Sequence, residues 1–165
     1  MNWYVLYTIS YKAKQLVLEL NKYQDIEAFI PYQEFYHRKT KEHLIKPMFP
    51  GYIFIKSRLE QSEFNILLTE IMQKQNKMIK QLKNDGVSAL RKEEIWMLET
   101  LLNQSNIVEM STARLENGKA IITNGPLKKF ENRIVKVDKR NQYAYLDLIF
   151  MERYIKVGLN ITSKN

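Results

Sequence analysis

The residue types that most often bind metals or act as nucleophiles are scarce in this chain. Its 165 residues include no cysteine and two histidines, His37 and His43, which share one charged segment. Without cysteine, disulfides, thiolate metal sites and thiol catalysis are excluded, and no acidic cluster near the histidines completes another metal site. The five glycines are isolated from one another, so the chain lacks a glycine-rich phosphate loop. The sequence therefore predicts no enzymatic activity, no metal and no cofactor.

Positive charge favours a polyanionic partner instead. The formal net charge is +8 and the isoelectric point is about 9.5, values that favour nucleic acid or a complex containing it. Residues 106–165 carry 11 basic and 6 acidic side chains, so the last third is the more basic part. No apolar run is long enough to span a membrane, and the first residues do not have the pattern of a signal peptide. We expect a soluble, cytoplasmic, monomeric protein with no membrane partner.

Hydrophobic periodicity predicts the elements that would position any binding residues. Strands are expected at 3–9, 34–38, 52–55, 78–82, 119–123, 133–138, 143–150 and 154–157, and helices near 13–20, 64–71 and 91–104. Residues 84–86 read as a turn, and residues 104–118 have no sustained period. The pattern predicts an α+β fold with domains at 1–105 and 118–165, joined by a linker at 106–117. The first domain has an antiparallel sheet with flanking helices, and the second is a small β-barrel.

Two local segments stand out, and each has an ordinary structural explanation. In the segment 47–55 (PMFPGYIFI), two prolines and a glycine lead into an aromatic strand, as in a rigid turn before a core strand. In the segment 124–130 (NGPLKKF), a turn with exposed lysines joins two strands. Taken singly, neither segment establishes a function.

Together and in this order, these features resemble the NusG family of transcription factors. The opening 3–7 (WYVLY) resembles the start of the family's N-terminal domain, and 47–54 is similar to that domain's most distinctive motif. Residues 118–157, centred on Gly125-Pro126-Leu127 and 134–138 (IVKVD), resemble a KOW domain. The resemblance covers nearly the whole chain.

The resemblance implies that the N-terminal domain binds the clamp helices of the largest RNA polymerase subunit through an apolar cavity and thereby suppresses pausing. The residues expected to form that polymerase-binding site are Trp3, Tyr7, Phe49, Tyr52 and Phe54. Those expected to contact upstream or non-template DNA are Lys12, Lys14, Arg38, Lys39 and Lys41. A surface of the KOW domain for a ribosomal protein or a termination factor would contain Lys128, Lys129, Phe130 and Phe150.

Within the family, the KOW segment resembles the LoaP-type antiterminators more than general NusG, and LoaP-type factors act at particular operons and recognise structured nascent RNA. That resemblance implies a specialised antitermination factor recruited by a nascent RNA hairpin. Two alternatives stay open: a general NusG-like elongation factor, and a KOW-containing RNA-binding protein of the translation machinery. The pair Tyr7 and Phe49 distinguishes the two polymerase-binding hypotheses from the RNA-binding protein of the translation machinery. A protein that binds only RNA has no need of an apolar surface shared by these two residues.

Overall fold

The computed structural model describes residues 1–75, 79–84, 87–88, 90–150 and 153–164, and the fold is mixed α/β with three sheets. The strands and helices in chain order are β1 (Asn2–Tyr7), α1 (Ala13–Leu20), β2 (Ile26–Phe29), β3 (Tyr32–His37), β4 (Glu42–Pro47), β5 (Tyr52–Ser57), α2 (Gln61–Gln75), β6 (Lys80–Asn84), β7 (Val87–Ser88), α3 (Lys92–Leu101), β8 (Ile107–Val108), β9 (Ser111–Glu116), β10 (Lys119–Asn124), β11 (Ile134–Asp138), β12 (Tyr143–Phe150) and β13 (Arg153–Lys164). Short 3-10 helical segments lie at Ser10–Lys12 and Pro126–Arg133.

One compact unit comprises residues 1–31 and 49–95. Its antiparallel sheet has the order β2-β5-β1-β6-β7, so the two aromatic strands β1 and β5 pair near the centre. The Tyr4 ring stacks on Phe64 of α2 with centroids 4.0 Å apart, and Leu16 and Leu20 of α1 are fully buried. Burial and nearby Glu60 raise the pKa of Tyr4, whose hydroxyl donates to the Leu59 carbonyl. This packing gives β1 and β5 a rigid support.

The other compact unit comprises residues 32–48 and 96–165. It holds a five-stranded sheet of order β10-β9-β13-β12-β11 and a three-stranded sheet of order β4-β3-β8. Along β12, Ala144, Leu146 and Phe150 are fully buried, while Asp147 and Ile149 are exposed. The alternation holds for these residues, but Tyr143 is buried as well and Leu148 is only partly buried, so the period of two is incomplete along β12. The closure of the larger sheet into a barrel stays a prediction.

The segment predicted as a linker differs most from expectation. Residues 106–117 contain β8, which pairs in parallel with β3, and β9, which pairs with both β10 and β13. The pattern missed β8 because it is only two residues long. Strand β9 pairs with the adjacent β10 across the two-residue turn Asn117-Gly118, a hairpin signal that the interpretation of this segment as a linker overlooked. Strand β4 was also missed, since its exposed residues lack an alternating pattern. Of the predicted strand and turn at 78–86, residues 78, 85 and 86 lie outside the described residues.

The compact units do not coincide with the predicted domains. The hairpin of β3 and β4 belongs to the same unit as the C-terminal strands, because β3 pairs with β8 and Glu34 accepts a hydrogen bond from the Met110 backbone N–H at 2.8 Å. Gly158 lies close to this hairpin, where an added Cβ would be 3.0 Å from the Glu34 carbonyl oxygen. The division of the chain into functional domains at 1–105 and 118–165 stays a prediction.

Candidate functional site

An exposed pair of tyrosines lies where β1 ends and β5 begins. Tyr7 and Tyr52 are register partners on these antiparallel strands, and their ring centroids are 4.9 Å apart. Tyr7 is 43% exposed and Tyr52 is partly exposed. Because paired residues of neighbouring strands point to the same side of a sheet, the two rings form one surface, which we call the tyrosine pair.

The turn before β5 fixes the position of this pair. Gly51 has a positive φ of 86°, and a Cβ there would be 2.6 Å from the Thr8 carbonyl oxygen and 3.0 Å from the Tyr7 ring. The Thr8 N–H donates to the Gly51 carbonyl at 2.9 Å, and the Tyr52 N–H donates to the Phe49 carbonyl at 3.0 Å. The glycine therefore lets the turn approach β1 closely enough to hold the two rings together.

Replacing Gly51 with alanine is expected to lower the free energy of unfolding by about 3 kcal/mol, since backbone strain at positive φ adds to a clash with a backbone oxygen. Gly118→Ala is the matched control: its φ is +76°, but nothing lies within 4 Å of the added Cβ. That variant should lose only about 1 kcal/mol. Urea unfolding of both variants measures the difference. Equal losses would show that the close approach at Gly51 does not constrain the turn.

Apolar exposure continues along the chain after Tyr7. Ile9 is 45% exposed, and Tyr11, in the short 3-10 segment, is 79% exposed. The Lys12 Nζ is 5.8 Å from the Tyr11 ring centroid, so a positive charge lies beside the exposed Tyr11 ring. Large exposed side chains that follow one another in this way are typical of a surface that contacts another protein.

The three other residues predicted for the polymerase-binding site are buried. Phe54 is fully buried, and Trp3 and Phe49 are 4% exposed each. Phe54 lies about 6.0 Å, between ring centroids, from both Phe29 and Phe49, and the Trp3 ring meets Phe29 edge-on. The expectation that these side chains line an exposed cavity is wrong for this structure. They form an aromatic cluster in the core: Trp3 and Phe54 come from the paired strands β1 and β5, and Phe49 packs on Phe54 from the turn before β5.

The predicted nucleic-acid-binding residues fall into two groups, one in each compact unit. Lys12 and Lys14 lie at the start of α1, Lys14 exposed and Lys12 partly so. Arg38, Lys39 and Lys41 are all exposed at the tip of the β3–β4 hairpin. Arg38 donates a 3.5 Å hydrogen bond to Asn141 Oδ1, and Lys41 has a positive φ of 58° in the turn. Either group offers cations to phosphate, and their role in binding stays a prediction.

The predicted partner surface of the C-terminal region needs a correction. Lys128 and Lys129 are exposed, but Phe130 and Phe150 are 1% and 0% exposed, since both rings point into the core. An exposed aromatic residue does lie there: Trp96 of α3 is 54% exposed, with its ring 5.3 Å from Phe130. Sequence reasoning missed Trp96, although helical spacing places it outside the apolar stripe of Ile95, Leu98 and Leu102.

Trp96 and the two lysines border one depression. Its volume is about 400 Å³, and its lining comprises Trp96, Glu99, Thr100, Gly125, Pro126, Lys128 and Lys129. Tryptophan provides large apolar area with little loss of rotamer freedom, and the lysines give the rim a positive charge. The depression therefore suits a partner that offers apolar and acidic groups together.

Among the described residues, no group of three or more metal-ligating side chains comes together. No helix in the described part of the chain is long and apolar enough to cross a membrane. A family model described as transcription termination factor nusG matches residues 1–99, which include the tyrosine pair and the Gly51 turn. A comparison with curated proteins gives no match.

Proposed function

The chain belongs to the NusG family of transcription factors, and on that premise we propose that it is an antitermination factor that binds the clamp helices of RNA polymerase. In this proposal it acts as an adaptor without a catalytic step of its own. It suppresses pausing and promotes terminator readthrough in selected operons. LoaP-type behaviour, with recruitment by structured nascent RNA, is part of the same proposal.

The tyrosine pair is the observation that carries the proposal. An amphipathic helix binds a partner by placing a few apolar side chains against large, rigid groups on the partner surface. Tyr7 and Tyr52 present such groups, and the buried cluster of Trp3, Phe49 and Phe54 lies within the same compact unit. The cluster supports the strands from which the pair projects, so its members contribute to binding indirectly.

A second partner surface is proposed at the depression bordered by Trp96, Lys128 and Lys129. Its chemistry suits a ribosomal protein or a termination factor that presents acidic and apolar residues to a KOW domain. The exposed cations at the hairpin tip and at the start of α1 are proposed to contact upstream or non-template DNA through its phosphates.

In vitro transcription through a terminator tests the proposal. Adding the chain is expected to raise readthrough, and more so on templates whose leader RNA forms a hairpin. An equal reduction of pausing on every template, without a leader effect, would favour a general NusG-like elongation factor. Failure to bind core RNA polymerase at all would overturn the proposal and favour the KOW-containing RNA-binding protein of the translation machinery.

A further inference from the structure

A row of lysine and tyrosine side chains crosses three strands of the five-stranded sheet. Tyr145 of β12 has Lys136 of β11 and Lys156 of β13 as its register partners. Because residues that pair across strands point to the same side of the sheet, these three side chains lie in line on one face. The Lys136 Nζ is 5.6 Å from the Tyr145 ring centroid.

Two more tyrosines lie on this face, one on β13 and one on β12. Tyr154 lies two residues before Lys156 on β13, so both side chains point to the same face, about 6.8 Å apart along the strand. Tyr154 is 63% exposed. Tyr143 lies two residues before Tyr145 on β12 and therefore on the same face, but its side chain is buried. This burial raises the pKa of the Tyr143 hydroxyl. Tyr145 and Tyr154 are therefore the rings that solvent, or a ligand, reaches.

Among the described residues beside these rings, cations outnumber acidic groups. The Lys156 Nζ is 4.5 Å from the Tyr143 ring, and the Lys46 Nζ donates to the Tyr143 hydroxyl at 3.3 Å. Of the acidic residues on these strands, Asp138 accepts hydrogen bonds from the backbone and side chain of Asn141. Asp147 is an exposed carboxylate on β12, and the Arg133 side chain donates to its backbone carbonyl at 2.6 Å, which places a further cation beside this strand.

We propose that this lysine–tyrosine face, defined as Lys136, Tyr145, Tyr154 and Lys156, binds a single-stranded polynucleotide. Aromatic rings on an open sheet stack on unpaired bases, and lysines beside them contact the phosphates. Bases inside a duplex are already stacked and cannot use the rings, so the arrangement favours a single strand. Since RNA and DNA both carry bases and phosphates, the test compares oligonucleotides of both kinds. This activity goes beyond polymerase binding and does not involve the tyrosine pair.

The test is fluorescence anisotropy of the free chain with labelled 12-nucleotide oligo(U), oligo(dT) and an RNA duplex of equal length, without polymerase. Wild type is expected to bind at least one of the single strands more tightly than the duplex, and the tighter one shows whether the face prefers RNA or DNA. Tyr145→Leu or Tyr154→Leu should weaken that binding about tenfold. Lys136→Gln should reduce the slope of log K against log salt by about 0.7.

Matched controls lie in the other compact unit. Tyr23→Leu removes a partly exposed ring, and Lys74→Gln removes an exposed cation of α2; both should bind as wild type does. Tyr154 is the more exposed ring, so Tyr154→Leu keeps the test valid if Tyr145→Leu unfolds in circular dichroism. The proposal is overturned if wild type binds no single strand, if the duplex binds more tightly, or if Tyr154→Leu binds oligonucleotides like wild type.

Discussion

Replacing Tyr7 and Tyr52 together with alanine is expected to weaken binding to core RNA polymerase by about 100-fold or more. Exposed aromatic residues are frequent hot spots of binding energy. Each ring contributes a large contact area and loses little side-chain entropy on binding, so its truncation weakens binding strongly. Both side chains project from strand ends supported by a buried core, so the fold should survive. Binding is measured with polymerase that carries no nucleic acid, and thermal unfolding checks the fold of the variant.

Two further variants separate ring chemistry from other effects of the change. Tyr7→Phe combined with Tyr52→Phe keeps the rings and should retain most of the binding. Tyr154→Ala removes another exposed tyrosine, 63% exposed in the other compact unit, and should leave polymerase binding unchanged. If the double alanine variant folds and still binds like wild type, the tyrosine pair is not the polymerase-binding surface. That result would leave the lysine–tyrosine face untouched, because its test uses no polymerase.

The second large effect is expected at Phe54, where replacement with alanine should lower the free energy of unfolding by about 3–5 kcal/mol. The ring is fully buried and lies about 6.0 Å from Phe29 and from Phe49, measured between centroids. Removing it leaves a cavity inside the aromatic cluster, which neighbouring strands cannot fill. Denaturant unfolding of the variant beside wild type measures this loss.

Phe54→Leu is the control for this prediction, because it keeps most of the buried volume. It should cost less than about 1.5 kcal/mol and should leave polymerase binding intact, as expected of a core residue that never touches the partner. The reverse pattern, a stable Phe54→Ala variant that fails to bind polymerase, would restore the original expectation that Phe54 lines the binding surface.

Local patterns in the sequence were sufficient to predict much of the fold and part of the candidate site. Hydrophobic alternation along 143–150 predicted a strand with these bounds, which β12 occupies, because a strand has a fixed period of two. The proline and glycine residues of 47–51 predicted a turn before an aromatic strand, and Gly51 occupies the positive φ that this turn requires. The match of the family model to residues 1–99 confirms the NusG resemblance inferred from 3–7 and 47–54, whereas the resemblance of 118–157 to a KOW domain stays a prediction.

The tertiary structure decided which aromatic residues are exposed and which strands pair. An aromatic ring favours burial in a core and contact with a partner for the same physical reason, so sequence alone could not separate the buried Phe49 and Phe54 from the exposed Tyr7. The pairing of β9 with β13 joins residues far apart in the chain, and no local period encodes it. Local periodicity determines how each element faces its neighbours, whereas packing between distant segments determines which faces are covered.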